Sequence, residues 1–138
     1  MATNKRLPVK WIRDRAKAAY VKSDCCFVCS TSEDLELHHI HSISILLEEW
    51  CMAKDIDVSS DEAILAVRDQ FIAEHNDELY NKVYTLCNKH HVLLHKVYGK
   101  SPANSTAPKQ EAWLKIQRDK FLGVHIAKPS IFDKFIKG

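Results

Sequence analysis

Apolar positions along the chain change period several times. Val9, Ile12, Ala16, Ala19 and Tyr20 recur at three- and four-residue intervals. This spacing predicts a helix over residues 8–23, with Pro8 in its first turn and Ser23-Asp24 as its stop. Leu35 to Ile40 alternates as a short strand does. Residues 44–54 read as helical, with Ile45, Leu46, Trp50 and Met52 as candidates for burial. After a break at Asp55 to Val58, Ser59 and Glu62 are spaced as a capping box. The helix they open runs to about His75, with Ile64, Leu65, Val67, Phe71 and Ile72 in one stripe. Asn76 to Asn81 is a connection. Val83 to Leu86 is a β-rich run expected to pair with residues 35–40. From Asn88 the pattern turns helical through His91, Leu94, His95 and Tyr98, and Gly99 suits the stop. A Ser/Pro/Asn loop follows. Thr106 is then the expected cap of a last helix carrying Pro108, Trp113, Leu114, Ile116, Gln117 and Phe121. The tail after Gly123 reads as irregular. The fold class is α+β: an antiparallel strand pair and a helix, wrapped by further helices.

Composition narrows the setting. A chain of 138 residues with 46% hydrophobic positions fits one domain with a small core. No stretch approaches the roughly 20 apolar residues of a membrane span, so no membrane partner is expected. The first residues lack an apolar signal core, which points to the cytoplasm. In that compartment the five cysteines read as metal ligands and free thiols rather than disulfides. Charge is segregated. Lys5, Arg6, Lys10, Arg13, Arg15, Lys17 and Lys22 make residues 1–32 basic, residues 33–80 are acidic, and lysines dominate residues 96–138. Basic ends around an acidic middle suit a polyanionic partner.

Two groups of soft and imidazole ligands stand out. Cys26 and Cys29 form a pair at a spacing that grips one ion from a tight turn, and Cys87 and His90 form another. Together they predict a structural Zn2+ site joining the two halves of the chain. Cys25 could compete with Cys26, whereas Cys51 reads as a buried thiol. His91 and His95 are four apart and share a helical face, so their imidazoles can converge on a second ion. His90 lies about 100° round the same helix and can face the zinc site instead. His38 and His39 are adjacent on a strand and point to different sides. One can bind the metal while the other activates water, the two parts phosphodiester cleavage needs most.

These motifs, Cys26-x2-Cys29, Leu37-His38-His39-Ile40 and Leu86-Cys87-x2-His90-His91-x3-His95, resemble those of HNH nucleases with the ββα-metal (His-Me) finger. The segment from His95 through Lys100 and Asn104-Ser105-Thr106 resembles the end of phage HNH homing endonucleases. The resemblance implies that His39 is the general base. It implies that His38, His91 and His95 hold a catalytic divalent ion, Mg2+ or another such as Mn2+ or Ni2+. The family's central asparagine falls on Lys82, nine residues before His91, with Asn81 adjacent and able to take the role if the connection shifts by one. His90 stands where the family usually has a cysteine. The implied layout is a basic N-terminal helix (1–24), a zinc-braced HNH core (25–98) with an acidic helical insertion at about 42–80, and a basic C-terminal part (99–138).

The implied partner is duplex DNA. Lys10, Arg13, Lys17, Lys82, Lys96 and Lys100 are the candidate phosphate contacts, and Trp11 and Trp113 are expected in the core. A symmetric target would favour a homodimer. His41 is expected beside the site or on the surface, His75 and His125 on the surface. The expected activity is metal-dependent DNA cleavage, as a nick or a double-strand cut. The alternatives are a non-catalytic zinc-stabilised DNA-binding module, and a protein-interaction domain built on the acidic segment.

Overall fold

The structure is a computed structural model that describes residues 6–123. Five helices and two strands follow in the order α1 (Arg6–Ala16), β1 (Leu35–His39), α2 (Ile43–Lys54), α3 (Asp61–Glu74), β2 (Val83–Cys87), α4 (Asn88–Tyr98) and α5 (Ala107–Leu122). β1 and β2 pair antiparallel, with Leu35 opposite Cys87 and His39 opposite Val83. The α+β class and the pairing of the two runs are as the sequence predicts. The irregular tail and His125 lie outside the described residues.

Apolar side chains gather in two clusters. Val9 and Ile12 of α1 meet Leu46, Leu47 and Trp50 of α2, Ile64 and Phe71 of α3, and Leu79. The acidic middle segment therefore supplies most of this cluster. The second cluster joins Cys26, Val28, Leu86, Cys87, Leu94 and Leu114, so it packs the cysteine turn, β2, α4 and α5 together. Trp11 and Trp113 pack, partly buried, against the first and second clusters respectively, as expected.

Several local expectations are corrected. The first helix stops at Ala16 and tightens into one 3-10 turn at Lys17–Ala19. Tyr20 then turns extended (φ −69°, ψ 140°) and sets its ring against His39 and Tyr80, a packing gain that continued helix could not give. Ser60, not Ser59, caps α3, its Oγ accepting from Ala63 N at 3.2 Å. Ser59 is drawn away because its hydroxyl donates to Asp57 at 2.6 Å. Thr106 makes no side-chain cap; its hydroxyl donates to the Ala103 carbonyl instead. Met52 is 82% exposed, because Leu46, Leu47, Trp50 and Cys51 already fill the inner face of α2. His75 is half-buried rather than a surface group, stacked on Phe71 at 4.2 Å.

Candidate active site and metal centres

The cysteine turn is built by its own backbone. Ser30 N donates to Cys26 O and Cys26 N to Thr31 O, with Ser30 in the left-handed region (φ 63°). Phe27 N donates to Thr85 O at 2.8 Å, which fixes the turn to β2. Cys87 ends that strand, and His90 stands in the first turn of α4. Cys29 Sγ lies 3.8 Å from Cys87 Sγ, and Cys87 Sγ 3.3 Å from His90 Nδ1. All four ligand atoms fall within 4.8 Å of one another. A tetrahedral ion with metal–sulfur bonds of about 2.3 Å separates its sulfurs by about 3.8 Å, so the donor set fits such an ion. Burial raises the cost of a Cys26 thiolate, but N–H donors from Cys29, Cys87 and Val28 outweigh it and bring that thiol below its ordinary value. Burial also lowers the His90 pKa, favouring the neutral ring a metal needs. Cys25 is exposed and outside this cluster, and Cys51 is a buried thiol in the first apolar cluster.

The second centre lies across β1 and α4. His38 Nδ1 is 3.1 Å from His91 Nε2, and His91 Nε2 is 3.1 Å from His95 Nε2. Each ring is held by its other nitrogen. His38 Nε2 donates to Gln110 Oε1 at 2.8 Å, His91 Nδ1 to Glu36 Oε1 at 2.7 Å, and His95 Nδ1 to the Gly99 carbonyl at 2.7 Å. These acceptors place the protons on the outer nitrogens, so three lone pairs face one another. Lone pairs in van der Waals contact repel unless a cation lies among them. The arrangement therefore fits a metal ion, with the outer partners fixing tautomer and orientation. Burial pushes the His38 pKa down to about 4, which keeps this ring neutral. Hydrogen bonds from His91 and Asn88 hold the Glu36 carboxyl below the usual range.

His39 points to the other face of β1. Its Nε2 donates to the Leu79 carbonyl at 2.9 Å, leaving Nδ1 with a lone pair. Burial lowers its pKa, against the pull of that hydrogen bond. His38, His39, His91 and His95 share one cleft of about 350 Å³ with Arg13, Lys17, Tyr20 and Lys100.

The remaining candidates divide. Arg13, Lys17 and Lys100 line the cleft, and Lys96 borders an adjoining depression with His91 and His95. Lys10 pairs with Asp14 on the outer face of α1. Lys82 pairs with Asp77 and lines a separate cavity with His41. Asn81 is exposed, and its amide donates to Asp77 rather than to the His39 region. Sequence reasoning missed Gln110, Glu36, Leu79 and Tyr20. Glu36 had a signal, since it lies two residues before His38 on the same strand face. Gln110 had none, because 72 residues separate it from His38.

On this α+β frame, two sets of side chains can each hold a metal ion, and one of them opens into a basic cleft. That defines the class as a candidate metalloprotein with a site suited to a phosphate backbone. Residues 1–134 match the model of the phage T5 nicking endonucleases, described as a nicking endonuclease family. The match covers nearly the whole chain, and the chain belongs to that family. Its activity is accordingly that of a phage DNA endonuclease, with DNA as substrate. No solved structure matches the chain.

Proposed function

We propose that this chain nicks duplex DNA with an HNH-type, metal-dependent active site related to that of phage homing endonucleases. The carrying observation is the convergence of His38 Nδ1, His91 Nε2 and His95 Nε2, each ring locked from behind by an acceptor. His38, His91 and His95 would hold the divalent ion, Mg2+ or another such as Mn2+ or Ni2+. When bound, that ion supplies positive charge to offset the charge developing on the phosphate and the leaving oxygen.

The chain's own residues do the rest. His39 takes a proton from the attacking water at Nδ1, because Leu79 keeps the Nε2 proton in place. The lowered pKa keeps this ring neutral and able to accept at ordinary pH. Arg13, Lys17 and Lys100 meet phosphates beside the scissile bond, while Lys10, Lys82 and Lys96 extend the contact outward. Asn81 steadies the turn that carries Leu79 through its bond to Asp77. Cys26, Cys29, Cys87 and His90 would hold structural Zn2+, which would tie the turn before β1 to the start of α4. Residues 1–138 act as one nuclease unit in the host cytoplasm, and a symmetric target would recruit a homodimer.

The test is conversion of supercoiled plasmid to the open circle with added Mg2+, Mn2+ or Ni2+, comparing the native chain with His39→Ala. Nicking that disappears in the folded variant supports the reading. Binding without cleavage by the native chain sinks it in favour of a zinc-stabilised DNA-binding module.

A further inference from the structure

Gln110 has no exposed surface, yet its side-chain amide makes three hydrogen bonds. Its Nε2 donates to the Ile40 carbonyl at 3.0 Å and to Thr106 Oγ1 at 3.0 Å. Both donor positions are thereby committed, and the amide can turn only its oxygen toward His38 Nε2, at 2.8 Å. One side chain from α5 thus grips the chain at two points, the ring of His38 in β1 and the backbone of Ile40 just past its end. The grip is rigid at its origin. Ala107 and Leu114, one turn to either side on α5, are 4% and 0% exposed, and Tyr98 donates to the Lys109 carbonyl at 3.0 Å.

We propose that Gln110 is a positioning residue of the histidine centre, holding His38 in its Nε2–H tautomer so that Nδ1 presents a lone pair to the metal. The inference rests on the metal-binding reading of His38, His91 and His95 given above. The residue type follows from the surroundings. His91 is held by a carboxylate, Glu36, whose side chain is 41% exposed and can stay ionised in water. His38 is only 2% exposed, and a carboxylate behind it would be a buried charge. A glutamine gives the same acceptor without the charge, and its amide hydrogens satisfy the Ile40 carbonyl. Replacing it with an apolar chain leaves two choices for His38. The ring can keep an unpartnered buried N–H, or it can move its proton to Nδ1 and turn that proton toward the metal position.

The experiment uses the full zinc-loaded chain, with Ni2+ as probe because imidazole binds it well. The His38 ring tautomer is read by nitrogen NMR without Ni2+, and Ni2+ affinity by calorimetry, for the native chain, Gln110→Met and Gln110→Glu. Retained zinc and an unchanged circular dichroism spectrum check each fold. The native ring should be in the Nε2–H form. Gln110→Met should shift it toward the Nδ1–H form and weaken Ni2+ binding about 10–100-fold. Gln110→Glu still offers an oxygen to Nε2 and should keep the native tautomer. An Nδ1–H tautomer in the native chain overturns the proposal without any variant. So does a folded Gln110→Met that keeps the native tautomer and affinity. If the native chain binds no Ni2+, or His91→Ala binds it equally well, the metal reading of the centre itself fails and this role falls with it.

Discussion

Leu79 gives its backbone carbonyl to the Nε2–H of His39 at 2.9 Å while its own side chain is fully buried in the first apolar cluster. The single wide turn at Asp77–Asn81, closed by Lys82 N donating to Asp77 O, aims that carbonyl across the strand pair. Such a π-type turn interrupts regular helix where a group must be re-aimed. The acidic middle segment is thus connected to the candidate base by packing and by one hydrogen bond.

His39→Ala should lower nicking by about 10²–10⁴-fold, the usual contribution of a positioned base. Ni2+ affinity should stay near native, since His39 belongs to neither ligand set, while the lost Leu79 hydrogen bond and Tyr20 contact should lower stability by about 1–3 kcal/mol. A plasmid-nicking time course beside a metal titration checks both. A comparable loss of metal affinity would mean that the ring holds the fold rather than the proton.

Removing the ion from the Cys26, Cys29, Cys87 and His90 set should lower the melting temperature. The four ligands connect two stretches of chain, and binding there is part of the folding free energy. Cys87→Ser should act the same way. Calorimetric melting before and after verified metal removal decides it, and an unchanged transition would refute a structural role.

Gly99 stands at φ 92°, ψ 174°, a conformation open to glycine and costly for other residues by about 1–3 kcal/mol. Its carbonyl accepts from His95 Nδ1 at 2.7 Å. No atom would block an added Cβ, so strain alone should act in Gly99→Ala. We expect a modest loss of stability together with weaker Ni2+ binding. A loss of stability with unchanged Ni2+ affinity would separate the turn from the metal centre.

Arg13→Ala and Lys100→Ala should each weaken DNA binding across sequences and reduce the salt dependence by about one counterion. Both residues line the histidine cleft. Lys10→Ala should do less, because Lys10 is paired with Asp14 away from the cleft. Binding measured over a salt series ranks the three, and a Lys10 effect larger than that of Arg13 would move the DNA path.

Burial pushes the Tyr20 hydroxyl up to about 12, with Tyr80 adding to the rise. Burial, then the Glu111 carboxylate, pushes Tyr84 up to about 12. In both the folded pKa exceeds the unfolded value of 10.0. The neutral hydroxyls therefore contribute stability that is fully present below that value and is lost as pH rises toward 12. Alkaline unfolding should coincide with tyrosinate absorbance in that window. Complete ionisation near pH 10 with the fold intact would contradict the packing of both rings.

Much of this was legible in the chain itself. The paired spacings of Cys26 with Cys29 and Cys87 with His90, and of His91 with His95, are local, and turn and helix geometry carry them directly into space. The strand pair was readable from alternation, and the end of α4 from Gly99. Where two local devices competed, the outcome was not readable. Ser59 and Ser60 are both good caps, and only the bond from Ser59 to Asp57 selects Ser60. Likewise nothing in the periodicity of α1 says that Tyr20 leaves the helix, because its reward is contact with His39 and Tyr80, 19 and 60 residues away.

The sequence by itself determined which side chains could bind metal and which elements would present them, since those depend on spacings of a few residues. The tertiary structure alone decided that Gln110 stands behind His38, that the Glu36 carboxylate reaches His91, and that Leu79 orients His39. These are single hydrogen bonds between residues tens of positions apart. Their geometry exists only once two separate apolar clusters have packed α5 and the π turn against the strand pair.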